Sequence, residues 1–137
     1  MKKTYLVLAF LITSFLLAGD AYGEDVVYHC TETASNGFEF DDKSLLYKSH
    51  EFKTKSYKMK FNWVTKTIEI ELGYRNYFHC RVPYEPYPDF MSCLGVNVPY
   101  LFNFNKRDGR FVKSQAFGHA LNFSDPIITS YGKCDKF

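Results

Sequence analysis

Signatures of chemistry are what this chain of 137 residues lacks. It has no Gly-x-Ser-x-Gly elbow to present a serine, no His-Glu-x-x-His to hold zinc on a helix face, and no glycine-rich loop to cradle a phosphate. No Cys-x-x-Cys occurs, which removes zinc-ribbon and thioredoxin-type sites. Net charge is close to nil, +2 over the whole chain, which argues against nucleic acid as the main partner. Past the N-terminus there is no long apolar run of helical period, no linker and no low-complexity tract. A catalytic role is therefore not expected, nor is a cofactor.

The N-terminus is where apolar residues concentrate. Lys2 and Lys3 precede Tyr5 to Ala18, 14 residues interrupted only by Thr13 and Ser14. At about 1.5 Å per residue this run falls short of the roughly 30 Å hydrocarbon core, but it suits a signal-peptide h-region. Ala21-Tyr22-Gly23 offers small residues at −3 and −1, with cleavage before Glu24. Leu17-Ala18-Gly19-Asp20 resembles a lipobox, yet Asp20 stands where the acylated cysteine must be, so no lipid anchor is expected. The reading is a signal peptide over 1–23 and a single domain over 24–137, released without a stable membrane anchor to the periplasm or the medium. Removing Lys2, Lys3 and Asp20 lowers the formal charge from +2 to +1.

Cys30, Cys80, Cys93 and Cys134 all lie in the mature part, and an even count in an exported chain reads as two disulfides. Three connectivities are open. Cys80 and Cys93 flank a proline-rich loop and suit a local staple, which leaves Cys30 to join Cys134 across the chain. On the chain-entropy relation the long link contributes about 4.7 kcal/mol and the short one about 3 kcal/mol.

Strands account for the rest. Aromatics make up 19% of the residues, and such rings suit pleated, half-buried surfaces. Val26 to Thr31 is a first strand, and Asn36-Gly37 a hairpin turn before Phe38 and Phe40. Residues 43–52 read as an irregular loop or one helical turn. Tyr57, Met59 and Phe61 alternate with Lys58, Lys60 and Asn62, and Ile68, Ile70 and Leu72 with Glu69 and Glu71. As a hairpin, these would set the lysine face beside the glutamate face. Further strands cover 76–82, a hairpin about Asp108-Gly109, and 127–134. The fold class is all-β: a small antiparallel barrel or sandwich of about seven or eight strands, stapled by disulfides.

Three features could bind something. Tyr84, Tyr87 and Phe90 sit in a loop held extended by prolines, where rings with polar tips could stack on a sugar or anchor a protein; they could equally fold back as a cap. Lysines 43, 48, 53, 55, 58, 60 and 66 make one segment basic, with Lys58 and Lys60 as its strand-borne candidates for an anionic partner or simply a solvated face. His29 and His79 repeat an aromatic-His-Cys pattern and could meet across neighbouring strands, but a third metal ligand is not evident, and no metal site is assigned. Asn122-Phe123-Ser124 is a glycosylation sequon, relevant only in a eukaryotic secretory route.

Tyr28-His29-Cys30 near the mature start and Tyr131-Gly132-Lys133-Cys134 near the end are similar to the ends of small exported inhibitors of C-type lysozyme, which are compact β-barrels with an early Tyr-x-Cys and a late Cys. That family's Ser-Gly-x-x-Tyr inhibitory motif is missing, so the resemblance implies size and architecture but assigns no site. The expected function is non-catalytic binding of an envelope or extracellular protein or glycan. Inhibition of a hydrolase such as lysozyme is the alternative, and a small hydrolase is a third reading.

Overall fold

The computed structural model describes residues 25–117, 120 and 124–137. The expected signal peptide, His119, and Asn122 and Phe123 of the sequon lie outside the described residues.

Among the described residues, nine strands form one antiparallel sheet: β1 (Asp25–Asp41), β2 (Leu46–Glu51), β3 (Ser56–Asn62), β4 (Thr67–Glu71), β5 (Arg75–Arg81), β6 (Phe90–Gly95), β7 (Tyr100–Asn105), β8 (Arg110–Gln115) and β9 (Ile127–Lys136). From β3 to β9 each strand pairs with the next, and β1 pairs with both β3 and β9. Those eight strands close into a barrel, which removes the open edges of a flat sheet. The ninth, β2, pairs only with the last third of β1, from Asn36↔Glu51 to Asp41↔Leu46. Together they form a ribbon that projects past the barrel rim.

Period-two alternation fills the barrel. Tyr57, Met59 and Phe61 on β3 point inward, as do Ile68 and Ile70, Phe78, Phe102 and Phe104, and Phe111. Their burial gives on the order of 1.5–3 kcal/mol each, before the entropy of ordering is subtracted. Phe102 lies between Phe104 and Phe111, with ring centroids at 6.3 and 5.3 Å. Outward positions carry Lys58, Lys60, Glu69 and Glu71, and the register sets Lys58 opposite Glu71 and Lys60 opposite Glu69, as the alternation predicts. The polar exterior is confined to this wall, since Leu94, Val112 and Tyr131 are exposed at outward positions of β6, β8 and β9.

Both disulfides join directly opposed residues: Cys30 with Cys134 between β1 and β9, and Cys80 with Cys93 between β5 and β6. The first closes the barrel seam across 104 residues of sequence. Two disulfides in a closed barrel indicate an oxidising compartment.

Three expectations are corrected. Asn36-Gly37 is not a turn but lies inside the 17-residue β1. A Cβ on Gly37 would collide with the Ile127 carbonyl, so this glycine serves the close approach of β9. The turn comes at 42–45, where Leu45 adopts φ 54°, and 46–51 is strand rather than loop or helical turn. His29 and His79 do not meet either, because β3 and β4 separate β1 from β5.

Candidate functional site

The barrel has two unlike ends. At one, β1 carries a bulge between Glu32 and Ala34, which shifts the inward phase from Tyr28, Cys30 and Glu32 to Ser35. Gly132 sits opposite the bulge, where a Cβ would strike the Thr31 carbonyl. The ladder to the β2–β3 side is broken there too. Instead, the Glu32 N–H donates to the Lys55 carbonyl at 2.9 Å, and the Lys55 N–H donates to Glu32 Oε2 at 2.9 Å.

Glu32 is therefore a carboxylate inside a barrel. Its side chain is 2% exposed, and Oε1 accepts from Lys113 Nζ at 2.6 Å and from the Ser130 hydroxyl at 2.9 Å. Lys113, 12% exposed, comes from β8 two residues after the core Phe111, and its ammonium lies 5.2 Å above the Tyr57 ring. Burial first, and the Glu32 charge second, hold the Tyr57 phenol above its ordinary pKa, so it stays a neutral donor.

Above this pair lies a cavity of about 340 Å3 between the 52–55 segment, the β4–β5 turn and the ends of β7 and β8. Phe52, Tyr74 and Tyr100 give it aromatic walls, and Lys53, Lys55 and Lys113 are among its lining residues. The Tyr100 phenol is raised above its usual pKa by burial, then by the neighbouring Tyr74 and by Asp125. Asn76 lines the cavity at 1% exposure. Its Nδ2 donates to the Tyr74 carbonyl at 3.4 Å, while its Oδ1, like the Tyr57 hydroxyl, is buried with no protein partner. An orphaned buried polar atom on a residue that lines a cavity is costly in a core and natural in a site that receives polar groups.

The other end holds the aromatic loop. Tyr84 and Tyr87 are exposed, so neither folds back as a cap; Phe90 is half-buried and stacks on Tyr84 with centroids 6.1 Å apart. The loop is tied down by the Cys80–Cys93 bond and by Asp89, which bonds Arg107 at 2.8 Å and faces Lys106 at 3.5 Å. An open groove of about 560 Å3 runs along it, beside Arg107.

The lysine-rich segment is divided by the fold. Lys58 and Lys60 stand on the outer wall opposite Glu71 and Glu69, and Lys60 is bonded to Asp25 at 2.7 Å, which raises its pKa. Lys48 is paired with Asp41 at the ribbon turn, and Lys66 is at the opposite end in the β3–β4 turn. Lys53 and Lys55 reach the cavity. Glu32, Asn76 and Lys113 were not among the sequence candidates. The available signal was phase: Glu32 continues the inward series of Tyr28 and Cys30, Lys113 that of Phe111, and Asn76 precedes Phe78 and Cys80.

No protein-family model matches this chain, and neither does any curated protein or solved structure.

Proposed function

We propose that this protein is an exported binding protein that takes a small molecule into the mouth of its barrel. The observation that carries the reading is the cavity beside the buried Glu32–Lys113 pair, lined by an Asn76 whose Oδ1 has no protein partner. Its volume lies at the small end of the ~300–1,000 Å3 typical of ligand pockets, and it opens at the mouth, beyond the side chains that fill the barrel. Binding is favoured over catalysis because, among the described residues, the one buried carboxylate is spent on Lys113, Ser130 and the Lys55 N–H and is not free to act as an acid or base. Export to the periplasm or medium is supported by the N-terminal signal pattern together with the two disulfides.

The test is an amide chemical-shift titration of the oxidised protein against a chemically diverse small-molecule collection. Hits that move Glu32, Lys55, Asn76 and Lys113 are expected. A collection that moves none of them would remove the reading.

A second reading has its own observation: Tyr84 and Tyr87 are exposed on a loop braced by a disulfide and by Asp89, beside Arg107. Tyrosine and arginine are the side chains that dominate protein-docking energetics, as an inhibitor of a hydrolase would need. Capture of a hydrolase such as lysozyme that is lost in Tyr84→Ala/Tyr87→Ala would establish it; capture unchanged by those substitutions would remove the loop.

A further inference from the structure

We infer that the barrel-mouth cavity selects a small hydroxylated organic anion, a ring or chain bearing a carboxylate, sulfate or phosphate together with O–H groups. This rests on the small-molecule reading above and names the chemical class of its ligand.

Charge is the first argument. Three lysines, Lys53, Lys55 and Lys113, line the cavity against a single carboxylate. That carboxylate is turned inward and saturated, both oxygens being occupied by Lys113, Ser130 and the Lys55 N–H. Lys113 uses one direction on Glu32, and an ammonium has three donors. The other nearby acid, Asp125, acts on Tyr100 and does not line the cavity. The residual field is positive, in a recess where the partly buried Lys113 is screened less than a surface lysine.

Hydrogen-bond polarity is the second. Asn76 Oδ1 can only accept, so it calls for an O–H or N–H on the ligand. Sulfate, an anion with no O–H at neutral pH, would leave it unpaired. A hydroxylated organic anion answers both demands at once.

Shape is the third. Phe52, Tyr74 and Tyr100 offer ring faces and edges around the polar floor, so the body of the ligand is bounded by aromatic surface rather than by water. Cations are disfavoured by the lysines, and purely apolar molecules would strand Asn76 further.

Four probes of graded chemistry separate the contributions: galacturonate, galactose, galactosamine and benzoate, each titrated by amide shifts into the oxidised protein. Galacturonate is expected to shift Asn76, Lys55 and Lys113 and to bind at least about tenfold more tightly than galactose, since charge-assisted bonds are roughly twice as strong as neutral ones. Its affinity should fall as salt rises. Galactosamine should be the weakest of the sugars, and benzoate, an anion without hydroxyls, weaker than galacturonate.

Asn76→Leu should weaken galacturonate about fivefold or more while leaving the unfolding midpoint unchanged or raised, because it deletes an orphan and loses only the long bond to the Tyr74 carbonyl. A purely structural asparagine would lower that midpoint instead. Galactose or galactosamine binding as well as galacturonate would overturn the anion assignment, and benzoate binding as well would overturn the hydroxyl requirement. Absence of galacturonate shifts, with other molecules of the broad collection still shifting the mouth, would overturn the inference alone. Absence of every shift there would overturn the binding reading too.

Discussion

Replacing Lys113 with methionine keeps most of the volume and removes the charge that balances Glu32. The carboxylate cannot follow. At 2% exposure it is fixed by the bulge in β1 and by the Lys55 and Ser130 bonds, so it remains in the barrel with two neutral donors in place of three partners. Stranding one member of a buried pair costs about 3–5 kcal/mol, a large share of a typical stability of about 5–15 kcal/mol. For a domain of this size that is a fall in Tm of roughly 12–20 °C.

Glu32→Gln is the asymmetric partner. The amide oxygen still accepts from the Ser130 hydroxyl, and Lys113, already 12% exposed near the mouth, can turn its ammonium to water. Its cost should be about 1–3 kcal/mol. The double variant should cost close to Glu32→Gln alone, so the two changes are coupled rather than additive. Urea unfolding of the four proteins at pH 7 measures this, with unchanged slopes as the control. If Lys113→Met costs less than about 1 kcal/mol, or less than Glu32→Gln, the pair behaves as a surface ion pair and the description of the mouth is wrong.

Three further outcomes follow from the geometry. Removing Cys30–Cys134 as an alanine pair should cost more than removing Cys80–Cys93, about 4.7 against about 3 kcal/mol, because the first closes 104 residues of sequence and the second 13; equal losses in urea unfolding would contradict the loop-entropy account. Asp41 is held down to about 2, chiefly by Lys48, then by Ser44 and the Lys43 N–H, so its contribution to the ribbon turn is present above the ordinary value of 3.8 and is lost as pH falls toward 2; an Asp41 titration midpoint near 3.8 by NMR would refute it. Burial raises the phenols of Tyr28, Tyr57 and Tyr100, so all three should stay protonated as exposed tyrosines ionise, and stability should fall as pH climbs above about 10; ionisation of every tyrosine before unfolding, followed by absorbance, would contradict this.

The parts of the fold legible in the sequence are those where local pattern and long-range pairing agree. Tyr57-Lys58-Met59-Lys60-Phe61 and Ile68-Glu69-Ile70-Glu71 show both the inward face and the outer charge match, and they pair as the alternation requires. Asp108-Gly109 turns the β7–β8 hairpin, with Gly109 at φ 74°. Cys80 and Cys93 close the proline-rich loop between them.

Where a local signal served a distant purpose, the pattern misled. Asn36-Gly37 has the composition of a turn, but the glycine makes room for β9, some 90 residues downstream by sequence separation. Strand β6 was hidden by the prolines of the loop before it, and the run 43–52 lacked alternation because β2 is exposed on both faces. The barrel mouth was the hardest to see. Its polar residues stand in the inward phase of their strands, yet the bulge interrupts that phase at Ala34, and the partner of Glu32 lies 81 residues away. An inward phase carrying a glutamate on one strand and a lysine on another was the one clue.

The most direct test of the central claim is to map galacturonate onto the protein by amide chemical shifts. The account predicts saturable shifts at Glu32, Lys55, Asn76 and Lys113, weakened by salt, with Tyr84, Tyr87 and Phe90 unmoved. Shifts confined to the Tyr84–Phe90 loop, with the mouth unmoved, would contradict it and place recognition at the opposite end of the barrel.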